Sequence, residues 1–190
     1  MQVFRPAALV VSFGLVAFGA VAGEIANSNI NGQNLSNTSA GLGSRALQNI
    51  GVAQNNGRIE NSQVQVNNAR NLSAGLGSSA TQNIGFVSGN GRISSSTVRV
   101  NNARNTSAGL GSSATQQIGF ATGNGRMQNM TVTANNASNT AGGLGATARQ
   151  EIGGATGNGV MRNSTVVANN ASNTSGGLGS SATQRVGVAQ

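Results

Sequence analysis

A 34-residue period runs through the chain from Gly23 onward and sets what this sequence can fold into. The segment 39–44, Ser-Ala-Gly-Leu-Gly-Ser, recurs unchanged at 73–78 and 107–112, and in altered form from Ala141 and Ser175. The resulting repeats are 23–56, 57–90, 91–124, 125–158 and a slightly shorter 159–190. Such a period is typical of a solenoid or array, in which each repeat buries its apolar face only against its neighbours.

The segment before the repeats has the features of a secretory signal peptide, which we place at residues 1–22. Arg5 supplies the positive charge, 7–20 is an apolar run, and Ala20-Val21-Ala22 matches a small-residue cleavage site. A membrane anchor is the alternative, but the run is shorter than the roughly 20 residues that span a bilayer. We therefore expect a secreted chain that starts at Gly23, carries no membrane segment after cleavage and, having no Cys, forms no disulfides.

The composition of the repeats favours strands over helices. Tetratricopeptide repeats share the 34-residue period, but about five Gly per repeat, each costing about 1 kcal/mol in a helix relative to Ala, exclude them. Ala80, Gln82, Ile84 and Phe86 alternate with other residues, which is the period of a strand, and the other repeats keep this register.

A second strand is expected earlier in each repeat, through Ile59 to Val66 in the second one. Asn56-Gly57 and its copies predict turns between the two strands, and Gly75-Leu76-Gly77 marks a second bend. Low-complexity disorder is the alternative, yet a flexible linker has no need to keep its apolar residues at the same positions in every repeat. The predicted fold is an all-β, amyloid-like β-solenoid of stacked β-arch coils across 23–190, with two or three strands per coil.

Stacking coils at about 4.8 Å, the strand spacing, places identical residues in columns. Stacked amides can donate to one neighbour and accept from the other, so a buried column satisfies itself along the axis. The predicted amide columns are Gln48, Gln82, Gln116, Gln150, Gln184 and Asn37, Asn71, Asn105, Asn139, Asn173. The predicted apolar columns are Leu42, Leu76, Leu110, Leu144, Leu178 and Ile50, Ile84, Ile118, Ile152, Val186. Paired Asn columns are expected through 67/68, 101/102, 135/136 and 169/170.

Charged residues are expected to be scattered between the repeats, because a column of like charges would repel. Arg70 and Arg104 share one repeat position, whose other copies are Ser. The chain has no Cys, His, Lys, Asp or Tyr, and its three acids, Glu24, Glu60 and Glu151, are far apart in sequence. We therefore expect no catalytic residues, no cofactor and no metal site, and hence no enzyme.

The ends of the predicted stack indicate self-association. Natural proteins block open strand edges with charges, Pro or a capping element. The one Pro is Pro6, within the predicted signal, and we find no cap next to the first or last repeat. Because these two repeats are alike, one subunit can template the next in an open head-to-tail filament.

Segments 96–100 (Ser-Thr-Val-Arg-Val) and 113–119 (Ser-Ala-Thr-Gln-Gln-Ile-Gly) follow a pattern of Ser, alternating aliphatics, Gln and Gly. With the signal and the Gly/Asn/Gln/Ser-rich repeats, this resembles the bacterial functional amyloids, namely curlin-type and Fap-type fibre subunits. The resemblance implies an extracellular matrix fibre for biofilm and adhesion. It also implies a nucleator subunit and a dedicated outer-membrane secretion pore as partners.

Other functions of a β-solenoid remain open at this level. A monomeric ice-binding protein would need an unbroken Thr column, but Leu47 and Arg149 interrupt the one through Thr81, Thr115 and Thr183. A glycan-binding surface adhesin is a further alternative. The net charge of +8 can attract acidic polysaccharide or extracellular DNA, or can simply keep the chain soluble. No motif predicts sequence-specific nucleic-acid binding.

Overall fold

A computed structural model describes residues 23–190, which form an all-β solenoid of five coils and contain no helix. The predicted fold class is therefore confirmed, while the predicted signal peptide at 1–22 lies outside the described residues. The strands are β1 (Glu24–Ala26), β2 (Asn29–Gly32), β3 (Leu35–Ala40), β4 (Arg58–Glu60), β5 (Gln63–Ala74), β6 (Ile93–Ser94), β7 (Thr97–Ala108), β8 (Ala114–Gln116), β9 (Met127–Gln128), β10 (Thr131–Gly142), β11 (Ala148–Gly154), β12 (Met161–Arg162), β13 (Thr165–Gly176) and β14 (Ala182–Val188).

The strands make three parallel sheets that run along the solenoid axis. The first sheet has the order β1-β4-β6-β9-β12, the second β2/β3-β5-β7-β10-β13, and the third β8-β11-β14. Isolated parallel β-bridges from Ala114 to Ala80 and from Ala80 to Ala46 extend the third sheet to the first coil. Every partner lies 34 residues away, as for Ile59 with Ile93. Each coil therefore has three faces, which resolves the choice between two and three strands.

Residues that tolerate a left-handed backbone form the corners between the sheets. Asn90 has φ +57° at the turn from the third sheet to the first, and Asn61 has φ +47° between the first sheet and the second. The hydroxyl of Ser62 donates to the carbonyl of Glu60 at 2.7 Å and closes that second corner. The predicted continuous strand Ile59–Val66 is therefore wrong, because Asn61 and Ser62 divide it between two sheets.

The long strands of the second sheet shift their alternation by one residue near the middle. In β10, Val132 and Ala134 point inward, then Asn135 and Asn136 both point outward, and Ala137 points inward again. The first half of the strand therefore contributes aliphatic side chains to the core. The second half contributes Asn139 and its equivalents.

An apolar core fills the space between three parts of each coil. These are the first sheet, the first half of the long strands of the second sheet, and the end of the third sheet. It consists of columns that repeat from coil to coil, such as Ile59–Ile93–Met127, Val64–Val98–Val132 and Ile84–Ile118–Ile152. Each fully buried aliphatic side chain contributes about 1.5–3 kcal/mol relative to exposure. Ile50 and Val186, the outer members of one predicted column, are half-buried and exposed because each lies in an end coil.

Candidate functional site

A glutamine ladder runs through the interior between the second and third sheets. The Nε2 of each Gln donates to the Oε1 of its equivalent in the following coil. The distances are 2.7, 2.5, 2.5 and 3.1 Å along Gln48, Gln82, Gln116, Gln150 and Gln184. Gln82, Gln116 and Gln150 are fully buried, so the ladder supplies hydrogen bonds that water cannot.

An asparagine ladder faces the glutamines from the second half of the second sheet. Its Nδ2···Oδ1 distances are 3.1, 2.9, 2.8 and 2.8 Å along Asn37, Asn71, Asn105, Asn139 and Asn173. Each Nδ2 also donates to the carbonyl of the residue ten positions later, as Asn139 does to Arg149 at 2.7 Å. The second bond ties the second sheet to the backbone of the third. This link was not predicted from sequence, because a repeat position shows which residues stack along the axis and not which residues contact each other within one coil.

The surface carries further amide ladders with differing directions of donation. In the corner ladder Asn56, Asn90, Asn124, Asn158, each Nδ2 donates to the following coil at 2.8–2.9 Å. The paired Asn columns donate the opposite way, as Asn102 does to Asn68 at 2.7 Å. Each interior or corner ladder therefore has a fixed polarity along the axis.

One amide column ends in a charge cluster that the sequence analysis did not identify. Asn49, Asn83 and Gln117 are followed there by Glu151 and Arg185. Glu151 is fully buried, and its Oε1 accepts from Arg149 Nη2 at 2.8 Å and from Arg185 Nη1 at 3.2 Å. Both arginine side chains remain about half exposed. The Oε2 atom of Glu151 has no hydrogen-bond partner among the described residues.

We expect Glu151→Gln to change the free energy of unfolding by less than about 1 kcal/mol, because an amide extends the column and both arginines can be hydrated. The double variant Arg149→Gln, Arg185→Gln should instead lose about 2 kcal/mol or more, since it leaves a buried carboxylate unpaired. Chemical denaturation of the variants measures both effects. A loss for Glu151→Gln as large as that for the double variant would contradict this account.

The leucine column forms a stripe on the outer surface. Leu42, Leu76, Leu110, Leu144 and Leu178 stack in successive coils, and together with the preceding glycines they line an open apolar groove. Leu76 is 48% exposed, whereas Leu42 and Leu178 in the end coils are 77% and 86% exposed. Stacking was expected from the period, but the corner at which each leucine lies turns the side chain away from the core.

A column of arginines contradicts the expectation that like charges are scattered. Arg58, Arg92 and Arg126 occupy one position in three consecutive coils, between Glu24 in the first coil and Val160 in the last. Sheet pairing places Glu24 opposite Arg58. The two other shared arginines, Arg70 and Arg104, are paired on the second sheet as their common position predicts.

The two end coils of the described stack present open strand edges. β13 and β14 pair only with β10 and β11, and β2 and β3 pair only with β5. Within residues 23–190, no segment covers either face. Among residues 23–190, Gln184 Nε2 in the last coil has no hydrogen-bond acceptor. In the first coil, Gln48 Oε1 and Asn37 Oδ1 accept no hydrogen bond from these residues. For the interior ladders, the last coil therefore presents amide donors and the first coil presents amide acceptors, whereas the paired Asn columns have the opposite polarity.

Residues 23–190 include no group of three or more side chains suited to a metal ion and no helix that could cross a membrane. No protein-family model matches the chain, and neither curated proteins nor solved structures match it.

Proposed function

We propose that this chain is a secreted structural subunit that assembles head-to-tail into extracellular, amyloid-like fibres for biofilm matrix and adhesion. The supporting observation is that the two end coils are open, parallel and complementary. Parallel strand edges that lack a cover are templates for another chain, and in-register amide ladders stabilise cross-β stacks.

The 34-residue register specifies how one subunit would dock on the next. The last coil would pair with the first coil of the next copy, so that β13 meets β2 and β3. In this register Asn173 stacks on Asn37 and Gln184 on Gln48, which continues both interior ladders. The end segment Gly187-Val188-Ala189-Gln190 also repeats the residues at 51–54.

Charges are compatible with this junction. Arg162 would lie over Ala26, and Arg185 would lie over Asn49. Glu24 of the following copy would lie next to Val160. No like charges oppose one another, so the repulsion that protects many natural strand edges is missing here.

The proposed export route and the other proposed partners are inferred from the sequence. A signal peptide at 1–22 would direct export, an outer-membrane pore would pass the chain, and a nucleator subunit would start growth. The subunit would need neither cofactor nor metal, because assembly uses backbone and amide hydrogen bonds alone.

Fibre diffraction with electron microscopy on purified residues 23–190 at neutral pH tests the proposal. We expect unbranched filaments with a meridional reflection near about 4.7–4.8 Å. A protein that stays monomeric and β-rich at high concentration would overturn self-assembly. Thermal hysteresis and glycan-array measurements on the same sample would then test the monomeric ice-binding and adhesin alternatives.

A further inference from the structure

The arginine column lies in a groove that runs along the solenoid axis. Arg58 begins β4, and Arg92 and Arg126 directly precede β6 and β9. Ile59 N donates to Arg92 O at 3.1 Å and Ile93 N donates to Arg126 O at 3.0 Å, so the three arginines stack at about the 4.8 Å strand spacing. The corner ladder of Asn56, Asn90, Asn124 and Asn158 also lines this groove. The groove has a volume of about 940 Å³ and is open to solvent along its length.

The positive charge in this groove is only partly compensated. Arg92 Nε lies 3.1 Å from Glu60 Oε1, which belongs to the preceding coil. Glu24 lies beside Arg58 in the sheet and also lines the groove. Arg58 and Arg126 are exposed, and neither makes an ion pair with a residue of the described coils. Like charges on adjacent strands destabilise a sheet. An anion bound between the guanidinium groups would relieve this repulsion.

The groove chemistry distinguishes between classes of anion. Guanidinium groups bind carboxylates with two parallel hydrogen bonds. Each Asn of the corner ladder uses one amide proton and one oxygen lone pair along the axis, which leaves further capacity for hydroxyl groups. The lining contains no aromatic side chain on which a nucleic-acid base could stack.

We propose that this groove binds a linear, carboxylated polysaccharide laid along the solenoid axis. Carboxylates pair with Arg58 and Arg126, and sugar hydroxyls bind the Asn56 corner ladder. The groove lies within one chain, so this inference does not depend on fibre formation. In a fibre, however, each subunit would present its own groove on the same side.

Isothermal titration calorimetry with oligogalacturonate on the purified protein tests the site. The variant Arg58→Gln, Arg126→Gln should lose about tenfold or more in affinity, because it removes two charge-assisted contacts. The matched control is Arg70→Gln, Arg104→Gln, which removes the same charge from exposed positions on the second sheet. This control should change the affinity less than twofold.

A variant that binds more tightly distinguishes a change in the site from a loss of folding, because a misfolded protein would not gain affinity. Glu60→Gln frees Arg92 from its ion pair and should tighten oligogalacturonate binding by about threefold to tenfold. Equal losses in the groove and control variants would show non-specific attraction and overturn the site. Single-stranded DNA or reduced, uncharged oligogalactan that binds as tightly as oligogalacturonate would overturn the assigned ligand class.

Discussion

Gly41→Ala is expected to leave the subunit folded and to abolish filament growth. A methyl group built on Gly41 meets no atom within 4 Å. At the equivalent Gly75, Gly109 and Gly143, the methyl group would overlap the glycine carbonyl oxygen of the preceding coil. In the proposed junction Gly41 would follow Gly177 in the same way, so the clash would arise only on assembly. The monomer would lose about 1–3 kcal/mol, because φ at Gly41 is +125°.

Two control variants separate assembly from folding. Gly43→Ala also enters open space, and its equivalent Gly77 would meet Leu42 O at 3.3 Å, so we expect normal filaments. Gly109→Ala places the overlap inside the subunit and should prevent folding. Circular dichroism, light scattering and electron microscopy report fold, mass and filaments. Filaments of Gly41→Ala with wild-type growth rates would refute the proposed register.

Gln116→Lys should destabilise the subunit by about 3–5 kcal/mol, because it buries an ammonium group with no carboxylate partner. Gln116 is fully buried and is bonded at 2.5 Å to both Gln82 and Gln150. The variant would break the ladder at its centre and slow or stop assembly. Urea denaturation and assembly kinetics measure the two effects.

The matched control for this variant is Thr115→Lys, one residue earlier in β8. Thr115 points away from the ladder, and the same position in the next coil already carries Arg149. The new ammonium group would lie beside Arg149, and like charges on adjacent strands destabilise a sheet, so we expect a loss of up to about 1 kcal/mol, well below that of Gln116→Lys. If both lysine variants behaved alike, the ladder at Gln116 would not be the interior element described above.

The period made much of the fold predictable from sequence. Because parallel pairing occurs at one fixed offset, finding the repeat also fixed which residues stack, as Gln82 does on Gln116. Asn56-Gly57 predicted a corner because Asn tolerates the backbone conformation found there. Alternation around Gln82 and Ile84 indicated the third face, although regular strand pairing there is longest in the last two coils.

The period did not indicate which side of the chain each column faces. Leu76 lies between two glycines, where no alternation distinguishes inside from outside, and a corner places it on the surface. The arginine groove was missed because Glu24 and Val160 interrupt its column at both ends. The pairing of Arg149 and Arg185 on Glu151 depends on two neighbouring columns at once, which inspection of single repeat positions does not show.

The fixed direction of donation in the amide ladders makes the two ends of a subunit chemically different. A tail-to-tail or head-to-head encounter would set donors against donors or acceptors against acceptors, and would require antiparallel pairing. A fibre of these subunits would therefore be a vectorial polymer, with every protomer oriented alike. Its two tips should elongate at unequal rates, which seeded growth followed by single-filament microscopy would show as asymmetric extension.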